Sequence, residues 1–240
     1  MNLSQRSYKK ELLDSIDIPF EDIERNMEEL EIINTYLGGH RITIAGIKEL
    51  FKKSFIKKQE CVICEIGCGG GDNILAIQSW CKKNNVPVHF IGIDINPNCI
   101  EVAVSKLKDV NASFIIADYI KANFEDKKPD YIFTSLFCHH FTNEELVQML
   151  GWMRHNAQKG FFINDLHRHN LAYHSIKFLI KVFSRSYLVK NDAPLSVLRG
   201  FTKKEWKNLL EAAGIAQYTI QWKWAFRHLI TVTNNNSILQ

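Results

Sequence analysis

The chain has 240 residues, of which 46% are hydrophobic, and this is enough to bury one sizeable core. The formal net charge is only +4 and the lysine pairs are scattered along the sequence, so we expect no nucleic-acid partner. No apolar run approaches the roughly 20 residues of a membrane-spanning helix, so we expect no stable membrane insertion.

The N-terminal residues and the cysteines bear on the compartment. Residues Met1 to Lys10 are polar and lack the apolar region of a secretory signal. We therefore expect the six cysteines to stay reduced and the protein to be cytoplasmic. Cys61 and Cys64 have the spacing of a redox or zinc pair, but in a strand their side chains point to opposite faces. We interpret them as buried apolar residues and predict no metal site.

The first 58 residues have the pattern of helices. An acidic amphipathic run extends from Glu21 to Leu37, and Gly38-Gly39 follows it, as glycine commonly does at a helix end. A second amphipathic helix is predicted from about Ile42 to Lys57. We expect residues 1–58 to form a helical cap on a second unit, residues 59–240.

The stretch from Cys61 to Asp72 organises this second unit. A short apolar run is followed by glycines at 67, 69, 70 and 71, and helical spacing of apolar residues begins again at Ile74. A strand, a glycine turn and a helix together bring backbone close to a ligand. A dinucleotide fingerprint needs a small residue where Asp72 stands, and a carboxylate there is unfavourable beside a pyrophosphate. Glu65 adds negative charge, so the loop favours a cationic nucleoside without phosphates.

The segment Glu65-Ile66-Gly67-Cys68-Gly69-Gly70-Gly71 resembles motif I of the class I S-adenosylmethionine-dependent methyltransferases. The resemblance implies S-adenosylmethionine as the cofactor and a small-molecule acceptor as the partner. It also implies a leading helical segment over the cofactor, from which Arg41 would reach the cofactor's carboxylate. We favour the simpler interpretation of Arg41 as an exposed charge at a helix start.

Further apolar segments with the character of strands follow the glycine turn and alternate with helical patterns. They are Val88–Asp94, Ala112–Ala117, Pro129–Leu136, Gly160–Leu166 and two strands between Tyr218 and Thr233. Asn96 with Pro97 marks one helix start, and Thr142 with Glu145 and Thr202 with Glu205 form capping boxes at two more. This alternation predicts an α/β fold, a Rossmann-like, doubly wound and mostly parallel seven-stranded sheet.

Polar residues fall at the carboxyl ends of these strands, where such sheets bind ligands. Asp94 ends the second strand, where a carboxylate can accept both ribose hydroxyl protons. The resemblance implies that Asp118 binds the adenine amino group, that Tyr119 lies beside the ring, and that the fourth strand ends near the methyl group. The predicted cofactor-binding residues are Glu65, Gly67, Cys68, Gly69, Asp94, Ile95, Asp118, Tyr119, Ser135 and Leu136.

His139 and His140 follow the fourth strand and are the predicted catalytic residues. Histidine titrates near neutral pH and can act as a general base toward a hydroxyl or an acidic C–H. A framework role for at least one of them is the alternative. Asp165, His167 and His169 would share one face if extended, but a single carboxylate gives little support for magnesium. Contact with the acceptor, or solvent exposure, is the preferred interpretation.

Residues 171–190 predict an unusually apolar helix with a basic stripe at Lys177, Lys181 and Arg185, within an insertion at 171–200. We expect this helix to line an apolar acceptor pocket, with Phe178 and Phe183 as wall residues. A dimer contact, plain core and a membrane-surface role are the alternatives.

Two segments, 164–173 and 191–202, resemble bacterial small-molecule methyltransferases that are associated with aromatic polyketide or quinone-like metabolites. This looser resemblance implies a phenolic hydroxyl acceptor. The sequence leaves open a monomer or a homodimer. It also leaves open a non-catalytic cofactor-binding protein of the same fold, and an NAD(P)-dependent oxidoreductase that Asp72 disfavours.

Overall fold

The computed structural model describes residues 3–14, 17–54, 60–124 and 128–234. The helices are α1 (Phe20–Tyr36), α2 (Gly39–Ser54), α3 (Asp72–Lys83), α4 (Pro97–Lys106), α5 (Asn143–Asn156), α6 (Asn170–Phe183), α7 (Tyr187–Arg199) and α8 (Lys203–Ala212). The strands are β1 (Cys61–Ile66), β2 (Val88–Asp94), β3 (Ala112–Ile116), β4 (Tyr131–Ser135), β5 (Gly160–Leu166), β6 (Tyr218–Lys223) and β7 (Arg227–Thr233). Among the helices of these residues, none combines the length and apolarity needed to cross a bilayer.

The strands form one seven-stranded sheet in the order β3-β2-β1-β4-β5-β7-β6. β7 runs antiparallel to β5 and β6, and the remaining pairs are parallel. The predicted doubly wound, mostly parallel sheet is confirmed. The strand order reverses between β1 and β4, since β2 and β3 lie on one side of β1 and β4 and β5 lie on the other. The carboxyl ends of β1, β2, β4 and β5 therefore meet above a crevice at this point.

Two apolar cores lie on opposite faces of the sheet. Cys61 and Ile63 of β1 pack with α2 and α3 on one face, and Val62 and Cys64 pack with α5 and α8 on the other. The prediction that Cys61 and Cys64 point apart is therefore confirmed. All six cysteines are buried free thiols. Burial raises the pKa of each of these thiols above its usual range, which makes thiolate chemistry unfavourable.

Local sequence sets three of the helix starts. The Asn96 side chain accepts a hydrogen bond from the Asn98 amide, with Pro97 at the first helical position of α4. Both predicted capping boxes are present, at the starts of α5 and α8. Helix α2 begins at Gly39, earlier than the predicted Ile42, and its predicted end at Lys57 lies outside the described residues.

The single helix predicted over 171–190 is wrong. The structure has two helices, α6 and α7, separated at Ser184–Ser186. Glu29 of α1 accepts hydrogen bonds from the Ser184 hydroxyl and from the Arg185 and Ser186 amides. Ser186 then caps α7 by accepting from the Val189 amide. Arg185 thus lies outside α6, and the basic stripe on that helix is limited to Lys177 and Lys181.

The packing of α2 on β5 generates a stability prediction. A Cβ added at Gly46 would lie 2.5 Å from the Phe162 ring, whereas one at Gly151 in α5 meets nothing within 4 Å. Gly46→Ala should therefore lower the free energy of unfolding by about 1–3 kcal/mol. Gly151→Ala, the matched control, should raise it by about 0.5–1 kcal/mol. Urea unfolding measures both, and equal effects of the two substitutions would contradict the packing described.

Candidate active site

The glycine loop, residues 67–71, is joined to the end of β2 by backbone hydrogen bonds. The Gly67 and Cys68 amides donate to the Ile93 carbonyl at 2.8 and 3.0 Å, and the Gly69 amide donates to Asp94 Oδ2 at 2.9 Å. Gly67 and Gly69 have φ values of 68° and 50°, a region that favours glycine. The other Asp94 oxygen accepts from the Asn96 amide at 2.9 Å. The loop and the Asp94 carboxylate therefore form one fixed unit.

Glu65 lies at the end of β1, directly below this loop. Its side chain is 1% exposed, and neither carboxylate oxygen has a hydrogen-bond partner within 3.5 Å among the described residues, although the Asn73 side chain is near enough to favour the charged form slightly. Burial, together with the charges of Asp72 and Asp94, raises the pKa of Glu65 well above its ordinary value. A buried acid without a partner is costly unless a cation compensates it, so Glu65 suits a positively charged ligand.

Asp72 occupies the N-terminus of α3, which is the position that holds a pyrophosphate in dinucleotide sites. Its Oδ2 atom accepts hydrogen bonds from His40 Nε2 at 2.8 Å and from Asn34 Nδ2 at 3.0 Å. Burial opposes the charge, but these contacts keep the pKa of Asp72 below its ordinary value. The amide of Gly71 also donates inside the protein, to the Cys68 carbonyl. A fixed carboxylate and loop amides that are already engaged disfavour a phosphate ligand and with it the oxidoreductase alternative.

The predicted adenosine contacts lie beyond Asp94. Ile95 is 69% exposed although it is apolar, as expected of a side chain that lies over a nucleoside. Asp118 caps a short helical turn by accepting from the Ile120 amide at 3.1 Å. The Tyr119 ring packs edge-on against Phe141 and Trp152 in the core. The ring therefore packs inside the protein and does not lie over the nucleoside site. Cys68 is likewise buried, with its thiol directed at the Gly69 carbonyl.

The end of β4 supplies Ser135 and Leu136. The Ser135 hydroxyl accepts from the Asn164 amide nitrogen of β5 at 3.1 Å. Leu136 has a φ of 55°, which is unfavourable for a side chain with Cβ, and its amide donates to the Asn164 carbonyl. Strain of this kind concentrates at functional sites, and Leu136 borders a cavity.

This cavity, which we call the helix-lined cavity, has a volume of about 260 Å³. Its apolar wall comes from α1 (Leu30, Ile33) and the following residue Leu37, from α6 (Ala172, Ile176, Leu179) and from α7 (Val189, Ala193, Val197). The choice of Phe178 and Phe183 as wall residues is wrong: they are 67% and 76% exposed and do not border the cavity. Helix α6 does line the cavity, but through the face that carries Leu179.

The polar end of the cavity is a histidine–carboxylate cluster, formed by Glu11, Asp14, His139, His140 and Asp165. His139 Nδ1 pairs with Asp165 Oδ1 at 2.8 Å, and His140 Nδ1 pairs with Asp14 Oδ1 at 2.9 Å. Both Nε2 atoms face the carboxylate of Glu11, at 3.5 Å from His139 and 3.8 Å from His140. The two predicted catalytic residues are thus side by side at the cavity wall.

Electrostatics within the cluster are strong because it is largely buried. Burial alone would lower the pKa of His139, but Asp165 and Glu11 outweigh it and raise that pKa to about 9. Burial likewise opposes the charges of the three carboxylates, yet the imidazoles keep the pKa values of Glu11 and Asp165 low and that of Asp14 at about 2. The cluster therefore attracts a positive charge between Glu11 and the two rings.

Three residues of the site were missed from the sequence. Glu11 and Asp14 precede the first predicted helix, and their partners lie more than 120 residues away, so no local pattern indicates them. Arg227, a charge at the start of an apolar strand, was the one available signal. It is 2% exposed and borders the cavity, and burial lowers its pKa to about 10. Among the described residues only Asn34 partners its guanidinium, which leaves Nε and Nη1 open. Arg41 is exposed.

Asp165, His167 and His169 do not form a common polar face. Asp165 turns into the cluster with His139, whereas the His167 ring contacts the rings of His169 and His228, with centroids 5.5 and 4.7 Å away. The second polar cluster expected after β5 is therefore split, and only its carboxylate reaches the cavity end described above.

Comparisons with known proteins agree with this architecture. Residues 63–160 match a family described as "Methyltransferase domain". Phosphoethanolamine N-methyltransferase 2 of Caenorhabditis elegans is 27% identical in an alignment 153 residues long, which covers 60% of this chain and 32% of that protein. The chain therefore spans about a third of the length of the curated relative that it matches.

Solved structures share the fold. The plantazolicin methyltransferase BpumL, in complex with S-adenosylhomocysteine, is 19% identical with a TM-score of 0.63, over 88% of this chain and 90% of that one. Human N-acetylserotonin methyltransferase, in complex with S-adenosylmethionine, is 16% identical with a TM-score of 0.65, over 94% of this chain and 59% of that one. Magnesium protoporphyrin IX methyltransferase from Synechocystis, with S-adenosylmethionine, is 13% identical with a TM-score of 0.55, over 84% and 82% of the two chains.

The chain has the Rossmann-like fold that these solved methyltransferases share. Residues 63–160 match the methyltransferase-domain family, and this match agrees with the resemblance of the glycine loop to class I S-adenosylmethionine-dependent methyltransferases. The orphaned carboxylate of Glu65 beneath a loop that favours no phosphate fits the charged cofactor of that class.

Glu65 generates a prediction about protons. Because its pKa is raised in the free protein, a bound cation that favours the carboxylate must displace a proton. Binding of S-adenosylmethionine should therefore release a proton, and affinity should rise with pH up to the raised pKa of the free protein. Calorimetry in buffers of different ionisation enthalpy measures this release. Glu65→Gln, the control, should abolish the Glu65 component, and net proton uptake by the native chain would contradict the role of Glu65.

Proposed function

We propose that this chain transfers the methyl group of S-adenosylmethionine to a small, partly apolar acceptor in the helix-lined cavity. The observation that carries the proposal is the fixed unit of glycine loop and Asp94, which lies above the orphaned Glu65 and beside a cavity that begins at Leu136. In this arrangement the nucleoside site and the cavity share the end of β4.

In this proposal each predicted cofactor residue binds a different part of the nucleoside. Asp94 accepts the ribose hydroxyl protons, Asp118 faces the adenine amino group, and Ile95 covers the nucleoside. Arg227 takes the part that the resemblance gave to Arg41. Its open donors lie beside Asn34, which also binds Asp72 at the end of the glycine loop, so it is placed to receive the cofactor's carboxylate.

The character of the cavity supports the choice of acceptor. Three helices give it an apolar wall, and the histidine–carboxylate cluster gives it one polar end. A flat apolar molecule with one hydroxyl group, such as a phenol, matches this division. The names of the related proteins point to different acceptors, among them plantazolicin and N-acetylserotonin, so the proposal rests on the cavity and on the sequence segments that resemble small-molecule enzymes.

When bound, S-adenosylmethionine supplies a methyl group on a positively charged sulfur. The chain's own residues position the acceptor oxygen in line with the methyl carbon and exclude water. Transfer would form a bond between that oxygen and the methyl carbon as the carbon–sulfur bond broke with its electron pair going to sulfur, and the hydroxyl proton would pass to solvent. His139 and His140 are the groups placed to contact the acceptor oxygen at the polar end.

The helices flanking the cavity complete the proposal. We propose that the cap within residues 1–58 and the insertion at 171–200 enclose the acceptor, since α1 contributes one wall and α6 and α7 the others. The helix α1 also binds the α6–α7 junction through Glu29, which ties cap and insertion together.

Loss of the Asp94 carboxylate should weaken binding of S-adenosylhomocysteine. Two hydrogen bonds to a charged acceptor contribute about 1.5–3 kcal/mol each, so Asp94→Ala should raise Kd by roughly 100-fold or more. Calorimetry measures the Kd of each ligand. NAD represents the ligand class of the oxidoreductase alternative, and 5′-methylthioadenosine keeps the ribose but lacks the carboxylate. Asp94→Ala should weaken both sulfur nucleosides.

Arg227→Gln is the matched comparison. It should weaken S-adenosylhomocysteine but leave 5′-methylthioadenosine unchanged, because only the former has a carboxylate. Unchanged affinity of Asp94→Ala, or tight binding of NAD by the native chain, would refute the cofactor site. A binding protein without activity would pass this test and fail a screen for methyl transfer to phenols.

A neighbouring pair on α6 tests the acceptor wall. Leu179 borders the cavity and Phe178 faces solvent. Leu179→Gln should raise the acceptor KM by roughly 10-fold or more through lost apolar contact, with the cofactor Kd unchanged. Phe178→Gln should leave both constants near their native values. Steady-state kinetics with a phenol that the chain methylates provide the readout, and a larger effect at Phe178 would place the acceptor elsewhere.

A further inference from the structure

The orientation of the two imidazoles in the histidine–carboxylate cluster is that of metal ligands. Each ring uses Nδ1 on a carboxylate, His139 on Asp165 at 2.8 Å and His140 on Asp14 at 2.9 Å. Metal-binding histidines commonly donate their second ring N–H to such a carboxylate, which fixes the tautomer and the ring plane. Both Nε2 atoms are thereby directed at the same carboxylate, that of Glu11.

The spacing of the converging atoms fits an ion better than a direct contact. His139 Nε2 lies 3.5 Å from Glu11 Oε1 and His140 Nε2 lies 3.8 Å from Glu11 Oε2, whereas N–H···O bonds are typically 2.7–3.2 Å. Ligands about 2.1 Å from a tetrahedral ion are roughly 3.4 Å apart. One ligand atom from each of Glu11, His139 and His140 can be chosen so that all lie within 4.8 Å of one another.

The surrounding charge also favours a cation. The cluster holds three carboxylates, those of Glu11, Asp14 and Asp165. Arg199 Nη1 lies 3.8 Å from Glu11 and 3.3 Å from Asp14, and the Arg6 guanidinium donates to the nearby His139 carbonyl. With both imidazoles neutral the carboxylates outnumber the guanidinium groups by one. The negative field of these carboxylates would attract a divalent ion to the point where both Nε2 atoms face Glu11.

We propose that Glu11, His139 and His140 bind a divalent transition-metal ion of the zinc, manganese or iron(II) kind. Two imidazoles and one carboxylate form a donor set that suits these ions and leaves coordination positions open. All three residues border the helix-lined cavity, so the open positions face the acceptor. Asp165 and Asp14 are positioning residues that hold the two rings.

The ion gives the two histidines a specific role in the reaction and in this respect rests on the proposed function. An acceptor hydroxyl that occupies an open position has a lowered pKa and loses its proton to solvent. The resulting oxyanion forms the oxygen–carbon bond as the carbon–sulfur bond breaks, and the electron pair passes to sulfur. Metal binding itself requires no cofactor and is measured independently of methyl transfer.

Cobalt(II) is the probe that tests the site. The 240-residue chain, stripped with a chelator, should bind Co²⁺ with 1:1 stoichiometry, give visible d–d absorption bands and lose them when Zn²⁺ is added. Glu11→Gln and His140→Gln should each abolish this spectrum. Asp14→Asn should weaken Co²⁺ binding by roughly 10–100-fold, as expected for a group that orients a ligand.

The control is His167→Gln, because His167, His169 and His228 form the other group of histidine rings described above. This variant should keep the native spectrum and stoichiometry. Unfolding curves and S-adenosylhomocysteine binding verify that each variant is folded. Absence of stoichiometric Co²⁺ binding by the native chain, or a spectrum lost in His167→Gln but kept in Glu11→Gln, would overturn the metal site. Intact S-adenosylhomocysteine binding in that case would leave the proposed function standing.

Discussion

The hydrogen bonds between Asp94 and the glycine loop are the constraint on which the site depends. One carboxylate oxygen holds the Gly69 amide and the other holds the Asn96 amide, so the loop after β1 and the turn after β2 cannot move independently. The neighbouring Ile93 carbonyl binds two further loop amides. This arrangement commits the loop amides internally and leaves a carboxylate, rather than a row of N–H donors, as the feature presented to a ligand.

A second constraint is the unusual concentration of buried charge around the cavity. Arg227 borders the cavity with two open donors, and Glu65 is buried at the end of β1 with an unpartnered carboxyl group. The histidine–carboxylate cluster occupies the polar end. Buried charges without partners cost stability, and a ligand of opposite charge offsets that cost only while it is bound. We interpret these residues as a site whose electrostatics are complete when cofactor and acceptor are present.

Much of the fold could be predicted because its determinants are local. Apolar runs with β-branched residues gave the strands, and the capping pattern at Thr142 and at Thr202 gave two helix starts. The break between α6 and α7 could not be predicted, since Glu29, about 155 residues earlier, supplies the hydrogen bonds that stabilise it. The wall-facing side of α6 was misjudged because that helix is apolar around most of its circumference, so periodicity does not distinguish Leu179 from Phe178.

The site divides in the same way. The glycine loop, Asp94 and the two histidines stand next to strand ends and could be predicted as site residues from that position. Glu11, Asp14 and Arg227 reach the cavity from the two termini of the described chain, where only the tertiary fold brings them together. Their roles depend on contacts between residues far apart in the sequence, and local sequence patterns do not predict such contacts.

The most direct measurement of the central claim is a crystal structure of the 240-residue chain with S-adenosylhomocysteine. The account predicts ribose hydroxyls within hydrogen-bond distance of Asp94 and a sulfur atom that faces the helix-lined cavity near Leu136 and His140. A ribose bound away from Asp94, or a sulfur that points to the side opposite the cavity, would contradict it.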